Sequence, residues 1–175
     1  MKRFGVINAK LSYAIATMGH DDLMIVTDAG LPFRHDERTI DLALAPNIPD
    51  MVTVLRAIRQ ELWVEKFAFI KEGHNPNIVK AVSEIFPDAE RTFEPNDWFH
   101  HAVNEEAKWV IRTGAWTPWG NVALWSGIPV AEWMASTGAP PPAEWEQRLA
   151  KNREFGWQGV GHPLANSAEE GKWGK

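Results

Sequence analysis

No cysteine occurs in the 175 residues. That absence removes disulfides, thiolate catalysis, iron–sulfur ligation and cysteine-based zinc sites. Basic charge is also in short supply. Lys and Arg number 18 against 23 Asp and Glu, giving a net charge of -5 and a pI near 5.7. A surface of that sign does not suit nucleic acid or any other polyanion as partner. No apolar run approaches the roughly 18 to 20 residues that span a bilayer. The opening Met1-Lys2-Arg3-Phe4-Gly5 leads to Asn8, Lys10 and Ser12 rather than to the apolar core of a signal peptide. We therefore expect a soluble, cytoplasmic protein with no membrane partner.

Tyrosine occurs once against ten tryptophans, and every tryptophan lies at or beyond Trp63. Indoles bury large areas in cores and at subunit contacts, and that packing role is the default for each. Stacking on the C–H faces of a sugar is the sharper alternative.

Length fits one domain with an appendage. Asn8 can cap a helix carrying Leu11, Ile15 and Met18, and Gly19 is placed to end it in the left-handed conformation. Leu23 to Thr27 reads as a first strand and Ile40 to Leu44 as a second. Pro49-Asp50 opens a helix with Val54, Leu55, Ile58 and Leu62 in register. Val64 to Ile70 is a third strand, Asn75-Pro76 starts another helix, and Glu90 to Phe93 is a short strand. Pro95 to Glu106 reads as helix, and Lys108 to Arg112 and Val122 to Trp125 as the last strands. This alternation predicts an α/β layered fold with a central, largely parallel sheet flanked by helices, its site beyond the carboxyl ends of strands. The texture changes near residue 130. We assign 1–130 to the α/β domain and 131–175 to a tryptophan-rich C-terminal extension that docks on the body or on a neighbouring subunit.

Polar chemistry brackets the first strand. Gly19-His20-Asp21-Asp22 stands at its entrance and Asp28-Ala29-Gly30-Leu31-Pro32 at its exit. Histidine exchanges protons near neutral pH, and an aspartate close by can hold a substrate hydroxyl or orient the imidazole. The pairing suits proton transfer on a small polar molecule. For His20 the bland alternative is a helix C-terminal cap, and for Asp22 it is turn chemistry.

Further motifs follow in order: Gly5-Val6-Ile7-Asn8, Met18 to Asp22, Thr27 to Pro32, Ile40 to Leu44, and Val110-Ile111-Arg112-Thr113-Gly114 with Pro118-Trp119-Gly120-Asn121. In these the block from Gly5 to about Val130 resembles the ribose pyranase and fucose mutarotase family, which interconverts ring forms of free sugars. The resemblance implies a cofactor-independent isomerase acting on a monosaccharide by acid–base catalysis. It also implies a homo-oligomer, a pentamer or decamer, with the site near subunit contacts. His20 stands at the position of the family's proton-donating histidine, and Asp28 and Asn121 at those of sugar contacts.

The chain departs from the family pattern at three points. Trp119 replaces the tyrosine of a Tyr-x-Asn motif, and an indole donates through its N–H but cannot act as acid or base. Ala115 stands where the pyranase branch carries a glutamate, and Asn96 where it carries a histidine. His100 and His101 lie near enough to supply one, but adjacent helical residues point in different directions. We take Trp119, as a pocket wall, and His100, Asp22 and Arg112 as further candidate substrate contacts, with a structural ion pair as the alternative for Arg112. No metal site is assigned, because His20, Asp22 and Asp28 lack ligand spacing. The competing function is a non-catalytic monosaccharide-binding or regulatory protein that keeps the pocket without turnover.

Overall fold

The computed structural model describes residue 2, residues 5–130, and positions 134, 138, 140, 142–146 and 150. The extension assigned to 131–175 therefore lies largely outside the described residues.

Helix α1 (Ala9–Ala16) starts where the Asn8 side chain accepts the Leu11 N–H, and α2 (Met51–Arg59) where Asp50 accepts that of Thr53. Asn75 plays the same part for α3 (Pro76–Ile85), with proline in its first turn. Each cap satisfies a backbone donor that no helical carbonyl can reach. Helix α4 (Asn96–Glu105) follows Pro95.

The strands are β1 (Leu23–Thr27), β2 (Thr39–Asp41), β3 (Val64–Ile70), β4 (Glu90–Glu94), β5 (Trp109–Arg112) and β6 (Val122–Ser126). They form one sheet in the order β2-β5-β1-β6-β3-β4. Five strands run the same way, and only β6 is reversed, antiparallel to both β1 and β3.

The two faces of the sheet are covered unequally, as the period-2 alternation of strand side chains dictates. Met24, Val26, Phe67, Phe69 and Leu124 turn to one face and pack with Leu11 and Ile15 of α1, Leu55 and Ile58 of α2, and Val82 of α3. Leu23, Ile25, Ala68, Ile70 and Ala123 turn to the other and meet Phe99, Ala102 and Val103 of α4. Because β1 lies at the centre, all five of its residues are buried, which explains its unbroken apolar run.

Two local expectations are corrected. Gly19 does not take the left-handed conformation; Asp21 does, with φ of 64°, because the turn into β1 comes two residues later. Strand β2 stops at Asp41 rather than continuing to Leu44. There the chain folds back on itself, with the Leu44 N–H bonded to the Ile48 carbonyl at 2.9 Å.

Candidate functional site

Beyond the carboxyl ends of the parallel strands lies an open cavity of about 470 Å³. Its wall comes from three places in the chain: the Asp28 to Pro32 loop after β1, Asn96 and His100 of α4, and Ala115 to Trp119 with Asn121 ahead of β6. Reversal of β6 matters here, because it brings the N-terminal end of that strand to the carboxyl edge of the others.

Asp28 is the fixed centre. Its Oδ1 accepts the N–H groups of Gly30 and Leu31 at 2.8 and 2.9 Å, a turn closed by the aspartate itself. Its own N–H donates to Asn121 Oδ1 at 2.9 Å, and Asn121 Nδ2 reaches Asp28 Oδ2 at 3.4 Å. Asp28 Oδ2 therefore keeps acceptor capacity toward the cavity, and Asn121 keeps a donor hydrogen. Both residues are buried, at 7% and 2% exposure, so neither can rotate away.

Arg112 does not line the cavity. Its Nη2 donates to the Ala29 carbonyl at 3.1 Å while Nη1 pairs with Asp41 at 2.9 Å. It braces the loop that carries Asp28 from behind, which is the structural alternative considered for it.

The rim is aromatic. Trp116 and Trp119 remain 68% and 46% exposed although both are large and apolar. The Trp119 backbone is left-handed, φ 60°, and its indole rests on the backbone of Gly73. A Cβ at residue 73 would stand 2.7 to 2.8 Å from three ring atoms. The preceding residue, Glu72, accepts the Asn96 N–H at 2.9 Å. One short loop after β3 thus sets two parts of the wall. Asn96 and His100 share a face of α4 because four residues make about one helical turn, whereas His101 turns away to Glu106, 3.5 Å distant.

His20 lies elsewhere. It precedes β1, at the opposite edge of the sheet from Asp28, and its Nε2 sits 3.1 Å from Glu65 Oε2. Asp28 therefore does not orient this imidazole within the chain; Glu65 does, from within β3, where its place in the sequence carries no sign of that role. Asp22 lies near His20 in sequence but is engaged by Lys108 at 2.5 Å and by the Gly19 N–H. Burial opposes ionisation of Asp22, but the hydrogen bonds from Lys108 and Gly19 outweigh it and hold the carboxyl below its usual value. Ligand atoms of His20, Asp21 and Glu65 lie within 4.8 Å of one another. Both Glu65 oxygens already have protein partners, Ile128 N–H at 3.1 Å and His20. Among the described residues no helix is long and apolar enough to cross a membrane.

A buried carboxylate and amide under an aromatic rim, at the carboxyl edge of an α/β sheet, define a site for a small polyhydroxylated molecule. The chain belongs to the RbsD / FucU transport protein family, whose profile matches residues 1–129. It is 42% identical over 151 residues to D-ribose pyranase 1 of Streptomyces griseus, covering 85% of this chain and all of the relative. That match extends past residue 130, where we place the domain boundary. D-ribose pyranase 2 of Rubrobacter xylanophilus is 38% identical over 153 residues, 86% of this chain and 99% of the relative. The solved structure of Bacillus subtilis RbsD complexed with D-ribose superimposes with a TM-score of 0.68 at 32% identity, covering 73% of this chain and 98% of the other. The class is that of the sugar pyranases and mutarotases, isomerases of monosaccharide ring forms.

Proposed function

We propose that the substrate is D-ribose and that the active site is completed by a second copy of this chain. The relatives named as D-ribose pyranases and the ribose-bound structural neighbour support the sugar. In the cavity, Asp28 Oδ2 accepts a sugar hydroxyl and Asn121 donates to another. Asn96 and His100 contact the ring from α4, and Trp116 and Trp119 cover its C–H faces.

The observation that carries the second copy is the placement of His20. Strand β1 separates it from Asp28, and five strand residues span about 17 Å. No imidazole side chain covers that distance, so a ring held by Asp28 meets a His20 only from a neighbouring chain. A homo-oligomer joining the two sheet edges answers this requirement.

Ring opening then needs only proton transfer. The imidazolium of His20 protonates the ring oxygen, the bond from that oxygen to the anomeric carbon breaks, and the anomeric hydroxyl becomes a carbonyl as its proton passes to the imidazole. Closure through another hydroxyl, or on the other face, reverses these steps. General acid–base assistance of this type is worth about 100- to 10,000-fold.

Magnetisation-transfer NMR on D-ribose, following pyranose–furanose exchange, tests the reading. The parent chain should accelerate exchange, and His20→Ala and Asp28→Ala should each abolish it. Co-expressed, the two variants should recover activity, because mixed assemblies contain sites with both residues intact. Mixtures no more active than either variant would exclude a shared site, and ribose binding without acceleration would indicate the non-catalytic protein instead.

A further inference from the structure

The His20–Glu65 contact is built by the fold in a way that a chance surface pair is not. Strands β3 and β6 pair with a shift of register between Val64 and Lys66, so that Glu65 is an extra residue against β6. Bulges of this kind re-aim a side chain that regular pleating would send to one face. The Glu65 side chain, only 7% exposed, then runs across Gly127. A Cβ on residue 127 would lie 1.9 Å from Glu65 Cγ, so the path exists only over a glycine. At its end Oε1 accepts the Ile128 N–H at 3.1 Å and Oε2 meets His20 Nε2 at 3.1 Å.

A carboxylate can only accept. Facing Glu65, the neutral imidazole must carry its hydrogen on Nε2, which leaves the lone pair on Nδ1. Among the described residues Nδ1 has no hydrogen-bond partner, and the His20 side chain is 34% exposed. The neighbouring Asp21 carboxylate is largely exposed, and its Oδ1 lies 3.6 Å from the same Nε2, beyond hydrogen-bond reach.

We propose that Glu65 is the positioning residue for His20, fixing the Nε2–H tautomer so that Nδ1 is the nitrogen that exchanges protons with the sugar. This rests on the catalytic reading of His20 given above. In the balanced step the Nδ1 proton of the imidazolium goes to the ring oxygen, and the proton of the anomeric hydroxyl returns to Nδ1. The Nε2 hydrogen stays on the imidazole throughout, donated to Glu65 Oε2. A carboxylate that holds a catalytic histidine in one tautomer is worth up to about 10,000-fold in hydrolytic triads. Here, with no strong nucleophile to activate, about 100-fold is expected.

The test is ¹⁵N NMR of the histidine rings in the full-length parent and in Glu65→Gln, alongside kcat and KM for sugar exchange. The parent should show His20 protonated on Nε2 in its neutral form. Glu65→Gln can present an amide N–H to Nε2, so the tautomer should shift toward Nδ1–H and kcat fall about 100-fold with KM within about twofold. A parent ring protonated on Nδ1 overturns the proposal without any variant, and so does unchanged kcat in Glu65→Gln. Full turnover by His20→Ala would overturn the catalytic reading of His20, a result independent of the tautomer.

Discussion

Asp28 and Asn121 clasp each other at two points across 93 residues of sequence, backbone N–H to amide oxygen and amide nitrogen to carboxylate. Each holds the other in the orientation that leaves one acceptor and one donor facing the cavity. The pair is therefore a single hydroxyl-binding unit, and neither residue can be changed without disturbing the other.

Asn121→Asp keeps the shape and the acceptor but removes the donor, and it sets a second carboxylate beside Asp28. Losing that donor leaves a sugar hydroxyl unsatisfied in a buried site, at a cost of about 1 to 3 kcal/mol, or roughly 5- to 150-fold in affinity. Titration calorimetry with D-ribose should show weakening in that range, and exchange should slow in parallel.

Gly73 gives a second expectation, since its backbone is the surface on which the Trp119 indole rests. Gly73→Ala forces the ring to move, while leaving Asp28 and Asn121 untouched. An aromatic contact is worth about 0.5 to 1.5 kcal/mol beyond its buried area, so KM should rise about 2- to 12-fold with kcat preserved. In a Trp119→Ala background the same glycine substitution should have no further effect on KM, because the wall it disturbs is already gone.

Acid sensitivity follows from Asp22. The Lys108 ammonium and the Gly19 N–H hold its carboxyl below the ordinary value against the opposing effect of burial. A pKa lower in the folded than in the unfolded chain means stabilisation that is complete above about pH 4. It fades as pH falls through the ordinary carboxylate value toward the depressed one. Urea unfolding should find Asp22→Asn less stable than the parent at pH 7, by up to about 1 kcal/mol because the pair is part-exposed. The gap should narrow progressively as pH falls below the ordinary carboxylate value, because the protonated aspartate no longer attracts Lys108.

Much of the architecture is readable in the chain because it rests on local rules. Asn8, Asp50 and Asn75 cap helices where their residue types and positions require. The run Leu23 to Thr27, four apolar residues closed by a threonine, reads as a buried strand because it is short, is bounded by turn residues and lacks an alternating polar face. Asp28 at a strand exit is likewise visible as candidate chemistry, and the family resemblance adds Asn121 in the Thr117 to Asn121 turn together with the substrate class.

Other features depended on long-range pairing. Reversal of β6 was not legible, because β-strand periodicity is the same in either direction, yet that reversal carries Asn121 to Asp28. Helical spacing put Asn96 and His100 on one face, but burial of Phe99, Ala102 and Val103 against the sheet decided that this face borders the cavity. Glu65 gave no signal as a partner of His20, because a bulge arises from the register between two strands and not from either strand alone. The sequence by itself determined the elements, their caps and the residue types available for chemistry, since those follow from side chain and neighbouring backbone. Only the tertiary structure decided which edge of the sheet each group occupies, because strand direction and register are settled by packing between segments far apart in the chain.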